Sequence, residues 1–361
     1  MEINSGVGRY PALVDAGLVN AVGMYALKCL ARQTCTVISD SNVAPLFAHQ
    51  VTKSLASSGF RPILITIPAG EKSKTLKQAA AICDRMIAAG LDRQSFVVGL
   101  GGGMIGDISG FVAAIYHRGI PHIQVPTTLL AMVDSSIGGK TGVDTRAGKN
   151  LIGVFHQPSL VIDDVGVLKT LPRRQFNQGF AEIIKHAVIA DAKMFKKVAR
   201  ASGLRAPTGA SETHALLSLI KRNIQIKSRI VAKDERDRTG QRALLNFGHT
   251  VGHAIERAGN YRKFLHGEAV SLGIVAACAI SVKRAGLPPD QCAAIVNLLE
   301  RFGLPTRLPP KFPRKKIFDA LKFDKKFEAG KLRFIVTPRI GVAYVAKDVT
   351  LDDVREALAH L

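Results

Sequence analysis

Two hydrophobic rhythms divide the chain. Up to about residue 170, short apolar runs at 35–39, 62–67, 95–100, 122–126 and 160–163 have the length and β-branched content of buried strands. Residues 76–89 instead place apolar side chains at helical spacing with charged ones between them. Strands that are apolar throughout and alternate with helices predict an α/β domain whose largely parallel sheet is covered on both faces. Beyond 171 the rhythm turns helical, over 178–200, 212–231, 246–258, 269–285 and 291–302. Pro305, Pro309, Pro310 and Pro313 interrupt that series, and β-like runs at 332–336 and 342–346 follow. The pattern predicts a sheet domain over 1–170 and a mainly α-helical domain over 171–361.

Candidate chemistry sits where these rhythms break. The strand-like run 96–100 leads into Gly101-Gly102-Gly103-Met104-Ile105-Gly106-Asp107 ahead of a helical stretch. Glycines permit a sharp turn and let N–H groups approach a pyrophosphate, to which the helix adds its positive end. The spacing satisfies GxGxxG, a weak signal in isolation. The ribose-binding acid expected about twenty residues later is missing, and Asp40 and Glu71, each just past a strand, are the alternative carboxylates. Residues 126–142, PTTLLAMVDSSIGGKTG, gather hydroxyls, Asp134 and Lys140 about a glycine pair, with Gly148-Lys149-Asn150 close behind. Donors of both kinds suit a phosphate or polyol. Gly139-Lys140-Thr141 resembles the end of a P-loop, but Asp134 stands where its first glycine belongs, so nucleotide hydrolysis is not supported.

In the helical half, Asn246-Phe247-Gly248-His249-Thr250-Val251-Gly252-His253 puts His249 and His253 on one helical face. Gly248 and Gly252 weaken a helix, a cost that makes sense if something must come close. His266-Gly267-Glu268 follows, and the run from Gly179 to His186 holds Glu182 and Lys185 three apart. Two imidazoles and a carboxylate form a common catalytic zinc set with one position left open. Spacing alone does not choose the ligands. Glu268 is a further candidate, with a charge at a helix N-terminus as its other role. HExxH is absent, since Thr250 occupies the place of the general base, which argues against a zinc hydrolase of that type. Lys227, Asp234 and Arg242 read individually as charged helix surface.

Composition narrows the field. With 361 residues, 47% of them hydrophobic, the chain can bury a sizeable core. Its formal charge of +22 is spread, with clusters at 193–200, 222–238 and 314–316, and there is no zinc-finger spacing, RNP-type aromatic pair or basic tail. A basic cleft attracting a small anion is favoured over nucleic acid. Five scattered cysteines without CxxC spacing suit a reducing cytoplasm. The absence of long apolar runs and of an export leader sets the same expectation, a cytoplasmic protein with no membrane span.

The runs GGGMIGD, RGIPHIQVPTTLLAMVDSSIGGKTGVDTRAGKNLIGVFHQP, LKTLP, GFAEIIKH, LLNFGHTVGHAIE, HGEAV and DKK…G…RF together resemble the 3-dehydroquinate synthase family of sugar-phosphate cyclases, across residues 40–342. The resemblance implies a Rossmann-like NAD-binding domain, a helical metal- and substrate-binding domain, an active site in the cleft, and a homodimer. It implies Glu182, His249 and His266 as ligands of one divalent metal, Zn2+ or Co2+. Around NAD+ it places Asp40, Asn42, Glu71, Lys74, Gly103, Asp107, Thr127, Thr128, Lys140, Lys149, Asn150 and Thr170. Substrate contacts fall on Asp134, Lys140, Lys185, Lys227, Arg242, Asn246 and His253. Arg118 would reach the phosphate of the neighbouring subunit's substrate, and Lys325 or Lys326 would approach the same group.

The implied reaction converts 3-deoxy-D-arabino-heptulosonate 7-phosphate into 3-dehydroquinate and phosphate, the second step of the shikimate route. Transient oxidation at C5 acidifies the C6 proton, and phosphate leaves by β-elimination. The hydride then returns, the ring opens, and an intramolecular aldol closure makes the carbocycle. Arg242 and Lys227 suit the substrate carboxylate, which separates this activity from inosose- and valiolone-forming relatives. Synthesis of aminodehydroquinate, whose substrate keeps that carboxylate, is the alternative. The segment 237–242 departs from the family pattern, with Asp237 in place of glutamate and one extra residue, and reads as loop variation.

Overall fold

The computed structural model describes residues 1–6, 8–31, 33–201, 203–322, 327–328 and 331–361. The chain forms two compact units, one of Met1–Leu171 with Pro207–Ile220, the other of Pro172–Ala206 with Lys221–Leu361.

The first unit is built on a seven-stranded sheet among the described residues. Its strands are β1 (Glu2–Ser5), β2 (Gly8–Asp15), β3 (Thr34–Asp40), β4 (Arg61–Ile67), β5 (Phe96–Gly101), β6 (His122–Pro126) and, after the separate ribbon β7 (Lys140–Val143)–β8 (Ile152–Phe155), β9 (Leu160–Asp164). They pair in the order β1-β2-β9-β6-β5-β3-β4, parallel throughout except β1 against β2. The central strands β5, β6 and β9 are buried at every position, as near-continuous apolar runs require. Helices α1 (Val22–Ala26), α2 (Ala44–Ser57), α3 (Leu76–Ala88) and α4 (Gly103–Ile115) connect them. Ile105, Ile108 and Val112 of α4 share a core with Ile38, Ile65 and Val97 of the sheet. From β3 the chain crosses to the edge strand β4, then returns past β3 to form β5. The order therefore reverses between β3 and β5, the kind of position beyond whose carboxyl ends open α/β sheets bind ligands.

Helices dominate the second unit: α5 (Arg173–Ala190), α6 (Ala192–Arg200), α7 (Ala210–Lys233, contributing to both units), α8 (His249–Ala258), α9 (His266–Ala285), α10 (Pro289–Arg301), α11 (Arg314–Lys322) and α12 (Leu351–Ala359). They are joined by an antiparallel sheet of β10 (Phe327–Glu328), β11 (Lys331–Arg339) and β12 (Val342–Thr350). Helix α9 is apolar on nearly all sides, as a central helix must be, and packs on α5, α8, α10 and α12.

Several expected elements need correction. The single helix over 178–200 is two, because Asp191 adopts φ −157°, ψ 92° and its carboxylate accepts from Met194 N at 2.9 Å, capping α6. The helix over 246–258 begins only at His249, preceded by a 3-10 turn (Arg242–Asn246) and by Gly248 at φ +78°. β1, β2 and the β7–β8 ribbon have no counterpart in the predicted elements. Tyr10, Ala12 and Val14 alternate inward, but Pro11 between them argues against a strand; it lies opposite Glu2 of β1, before the stretch from Ala12 to Asp15 that pairs with β9.

β6 opens with a buried histidine. His122 stacks on His156 with centroids 4.9 Å apart, and burial, then the neighbouring imidazole, hold its pKa down to about 3. The unfolded chain, with an ordinary value of 6.5, binds this proton more readily. Stability from this group is therefore complete above pH 6.5 and lost as pH falls toward 3. Urea midpoints should show a loss of about 2–3 kcal/mol between pH 7 and 4.5 that His122→Gln largely abolishes.

Candidate functional site

Three chain-distant side chains meet in the second unit because glycines remove the bulk between their helices. A Cβ on Gly273 of α9 would lie 1.9 Å from Gly248 O, and one on Gly267 would lie 2.1 Å from Gln178 O of α5. Backbone therefore touches backbone at both crossings. The left-handed turn at Gly248 starts α8 at His249, and α9 starts at His266. Both imidazoles face Glu182, which projects from α5 and is 0% exposed.

His249 Nε2 lies 3.4 Å and His266 Nε2 3.6 Å from Glu182 Oε1. Both carboxylate oxygens are enclosed: Oε2 forms an ion pair with the buried Lys185, and Oε1 has only the two imidazoles, at long range, for polar company. Ligand bonds of 2.0–2.2 Å to a tetrahedral cation put neighbouring donor atoms about 3.3–3.6 Å apart. The observed spacings are those of such a site. The remaining ring nitrogens turn outward. His249 Nδ1 lies 3.2 Å from Phe247 O, and His266 Nδ1 lies 3.4 Å from Glu256 Oε2. Nδ1–H directed at an acceptor leaves the Nε2 lone pair free for a metal. Burial opposes charge on Glu182, but Lys185 and His249 hold its carboxyl well below the usual range. Burial and Lys185 also lower the His249 pKa, favouring the neutral ligand form.

A second grouping, His253, Glu256 and His266, shares one imidazole. It lacks an enclosed oxygen without a partner, and His253 is exposed, its ring 5.2 Å from that of His249. Glu268, left open by spacing, is a cap. It accepts from Leu265 N at 2.8 Å and from Arg174 Nε and Nη2 at 2.6 and 2.8 Å. Lys227 and Arg242 are buried cations, and Arg242 Nη1 donates to Glu235 O at 2.6 Å. Asn246 ends the 3-10 turn, half-buried.

Asp234 departs from its reading as surface. It is buried and accepts from the backbone N–H groups of Arg238, Thr239 and Arg242 at 2.7, 3.1 and 3.2 Å, framing the loop that carries the extra residue. Gly240, at φ +83°, was the available signal of that turn. Lys325 and Lys326 lie outside the described residues.

In the first unit, the glycine turn 101–103 lies at the reversal between β3 and β5. A Cβ on Gly101 would be 2.7 Å from the Ile105 side chain and one on Gly103 3.0 Å from Ser135 Oγ. No side chain caps α4, which leaves its first N–H groups available to an anion. Asp40, at the end of β3, uses Oδ1 to accept from Asn42 N (2.8 Å) and Val43 N (3.1 Å), while the Asn42 residue is exposed. Buried Lys74 pairs with Asp107 Oδ2 at 2.5 Å and with Asn150 Oδ1. Glu71 lies 3.7 Å from Lys74 and 3.8 Å from Lys149, so five of the expected cofactor residues form one cluster. Thr127 N donates to Gly101 O at 2.9 Å, and Thr128 Oγ1 accepts from Ala131 N at 3.2 Å. Thr170 is exposed, donating to Val167 O at 3.0 Å.

Asp134 lies in a π-helical turn (Ala131–Ser135), a conformation common at functional sites, and the exposed Lys140 begins β7. Arg118 is exposed at φ +68°, between His117 at +48° and Gly119 at +123°. A non-glycine pair held in the left-handed region is strained.

Comparison with known proteins bears on both units. Residues 64–178 match the family model for the 3-dehydroquinate synthase N-terminal part and residues 179–327 that for its C-terminal part. A 3-dehydroquinate synthase of Symbiobacterium thermophilum is 45% identical over 359 residues, covering 99% of each chain. Among solved structures, a 2-epi-5-epi-valiolone synthase from Streptomyces hygroscopicus subsp. jinggangensis with NAD+ and Zn2+ bound is 28% identical at a TM-score of 0.87, covering 97% of this chain and 96% of its own. A 2-deoxy-scyllo-inosose synthase complexed with carbaglucose-6-phosphate, NAD+ and Co2+ is 26% identical at a TM-score of 0.88, covering 99% and 98%.

The geometry makes two predictions. Gly273→Ala should destabilise the protein by about 3 kcal/mol or more and reduce its zinc content, measured by urea midpoint and elemental analysis. Burial works against charge on His266, but Glu182 and Glu256 overcome it and push its pKa up to about 10. A cation bound at His266 Nε2 would displace that proton. Apparent zinc affinity should rise about tenfold per pH unit up to about pH 10, with release of about one proton at pH 8, measurable by calorimetry in buffers of different ionisation enthalpy.

Proposed function

The chain belongs to the 3-dehydroquinate synthase family, and from that premise we propose that Glu182, His249 and His266 hold one divalent cation, Zn2+ or Co2+, while the glycine turn and the Lys74 cluster seat NAD+. The activity is that of a 3-dehydroquinate synthase, converting 3-deoxy-D-arabino-heptulosonate 7-phosphate into 3-dehydroquinate and phosphate. The observation that carries this reading is the enclosed Glu182 Oε1, facing two imidazole nitrogens at 3.4 and 3.6 Å. When bound, NAD+ supplies reversible hydride acceptance and the cation supplies Lewis acidity toward the substrate oxygens.

The chain's own residues supply alignment and charge. Lys185 keeps Glu182 ionised and available as a ligand. Arg242 and Lys227, buried as cations, take the substrate carboxylate, with the guanidinium oriented by Glu235 O. His253 binds the phosphate, with Asn246 as a further substrate contact. Asp134 and Lys140 bind substrate as well, and Lys140 also borders the nicotinamide cofactor. Asp40, Asn42, Gly103, Thr127, Thr128 and Thr170 complete the NAD+ surround, together with Glu71, Lys74, Asp107, Lys149 and Asn150.

The working form is a homodimer in which Arg118 reaches the phosphate bound by the partner. Two observations support this. β8 exposes Ile152, Val154 and Phe155 beside exposed Leu151, an apolar edge suited to a second copy. His156, just after β8, bonds Ile120 O at 2.9 Å and so ties this edge to the strained Arg118 turn. Among the described residues no helix is long and apolar enough to cross a membrane. All five cysteines are free, which supports the cytoplasmic location we propose.

Metal-replete, NAD-loaded protein should release phosphate from the heptulosonate phosphate and form 3-dehydroquinate, identified by mass spectrometry, with activity abolished by EDTA. Preferential turnover of a carboxylate-free sugar phosphate would overturn the substrate assignment. His249→Ala should lose metal and activity together. Arg242→Ala should raise KM by roughly 30-fold or more, since truncating one side of a buried charge pair costs about 2–5 kcal/mol, and unchanged kinetics would remove its carboxylate role.

A further inference from the structure

Glu256 lies seven residues after His249 on α8, two turns along the same face, and is 4% exposed. A carboxylate this deep in the protein needs a charged or hydrogen-bonding partner. Its Oε2 lies 3.4 Å from Nδ1 of His266, whose other nitrogen lies 3.6 Å from Glu182 Oε1. The imidazole is thus held at both ends, by one carboxylate on the side of the proposed cation and by another behind it. His249 is held differently, its Nδ1 facing the neutral carbonyl of Phe247 at 3.2 Å.

We propose that Glu256 is a positioning residue of the metal centre, accepting the Nδ1 proton of His266 and so fixing the tautomer that presents Nε2 to the cation. The inference rests on reading Glu182, His249 and His266 as the metal site. Its chemical content is an asymmetry between the two imidazole ligands. A carboxylate behind His266 makes that ring a better electron donor and adds a negative charge near the cation, whereas the carbonyl behind His249 only orients. Glu256 touches neither substrate nor metal in this arrangement. The competing arrangement makes it a ligand itself, alongside His253 and His266, whose ligand atoms also lie within 4.8 Å of one another.

The test uses metal-stripped full-length protein reloaded with Co2+, whose visible absorption reports ligand number and geometry. Glu256→Ala should weaken Co2+ and Zn2+ binding by about 10–100-fold in chelator competition. At saturating Co2+ its spectrum should match the wild type in band position and intensity. Glu256→Gln should fall between the two, because the amide oxygen still accepts from Nδ1–H without the charge. If Glu256→Ala does not fold, by circular dichroism of the metal-free protein, the isosteric glutamine variant decides alone. Metal affinities within twofold of wild type would overturn the proposal, as would a Co2+ spectrum at saturation showing a lost ligand. Failure of the wild type to bind Co2+ would instead overturn the metal site on which the proposal rests.

Discussion

A carboxylate without water around it organises the second unit. Burying Glu182 costs several kcal/mol unless positive charge surrounds it, and Lys185 offsets only part of that demand. Positive charge drawn onto His266 supplies more, and the space between Oε1 and the two imidazole nitrogens has the dimensions for a cation to take over that part. The surrounding architecture follows from that demand. Glycines bring α8 and α9 together, another seats α9 against α5, and Glu268 with Arg174 holds the first turn of α9 where His266 sits.

The first unit solves a different problem by different means. Its sheet order reverses between β3 and β5, and the glycine turn after β5 exposes the start of α4 at that reversal. The missing acid of the usual dinucleotide fingerprint is not needed to charge this region. Glu71, Lys74, Asp107 and Lys149 already form a compact network, with Asn150 closing it from the loop before β8. A polar network assembled from three separate segments leaves little trace in any single stretch of sequence.

That dispersal sets what the sequence could disclose. The parallel strands were legible because β5, β6 and β9 are buried on both sides and so are apolar without interruption. β2 was not, since it lies toward the sheet edge and carries a proline. The break at Asp191 is a capping event, and an aspartate inside a helical pattern looks the same whether it caps or faces solvent. For the candidate metal centre, spacing placed His249 and His253 on one face but could not rank them. Only the crossing with α5 and α9 shows which ring meets Glu182. Asp234 and Glu268 became structural groups for the same reason, their partners being backbone N–H groups or a distant arginine.

The seam at Gly248 and Gly273 has a geometric consequence. Where two helices rest on each other's main chain, no side chain lies between them to repack, so the spacing of the backbones that carry His249 and His266 is set by the seam itself. Any residue larger than glycine at either position would move one imidazole relative to the other.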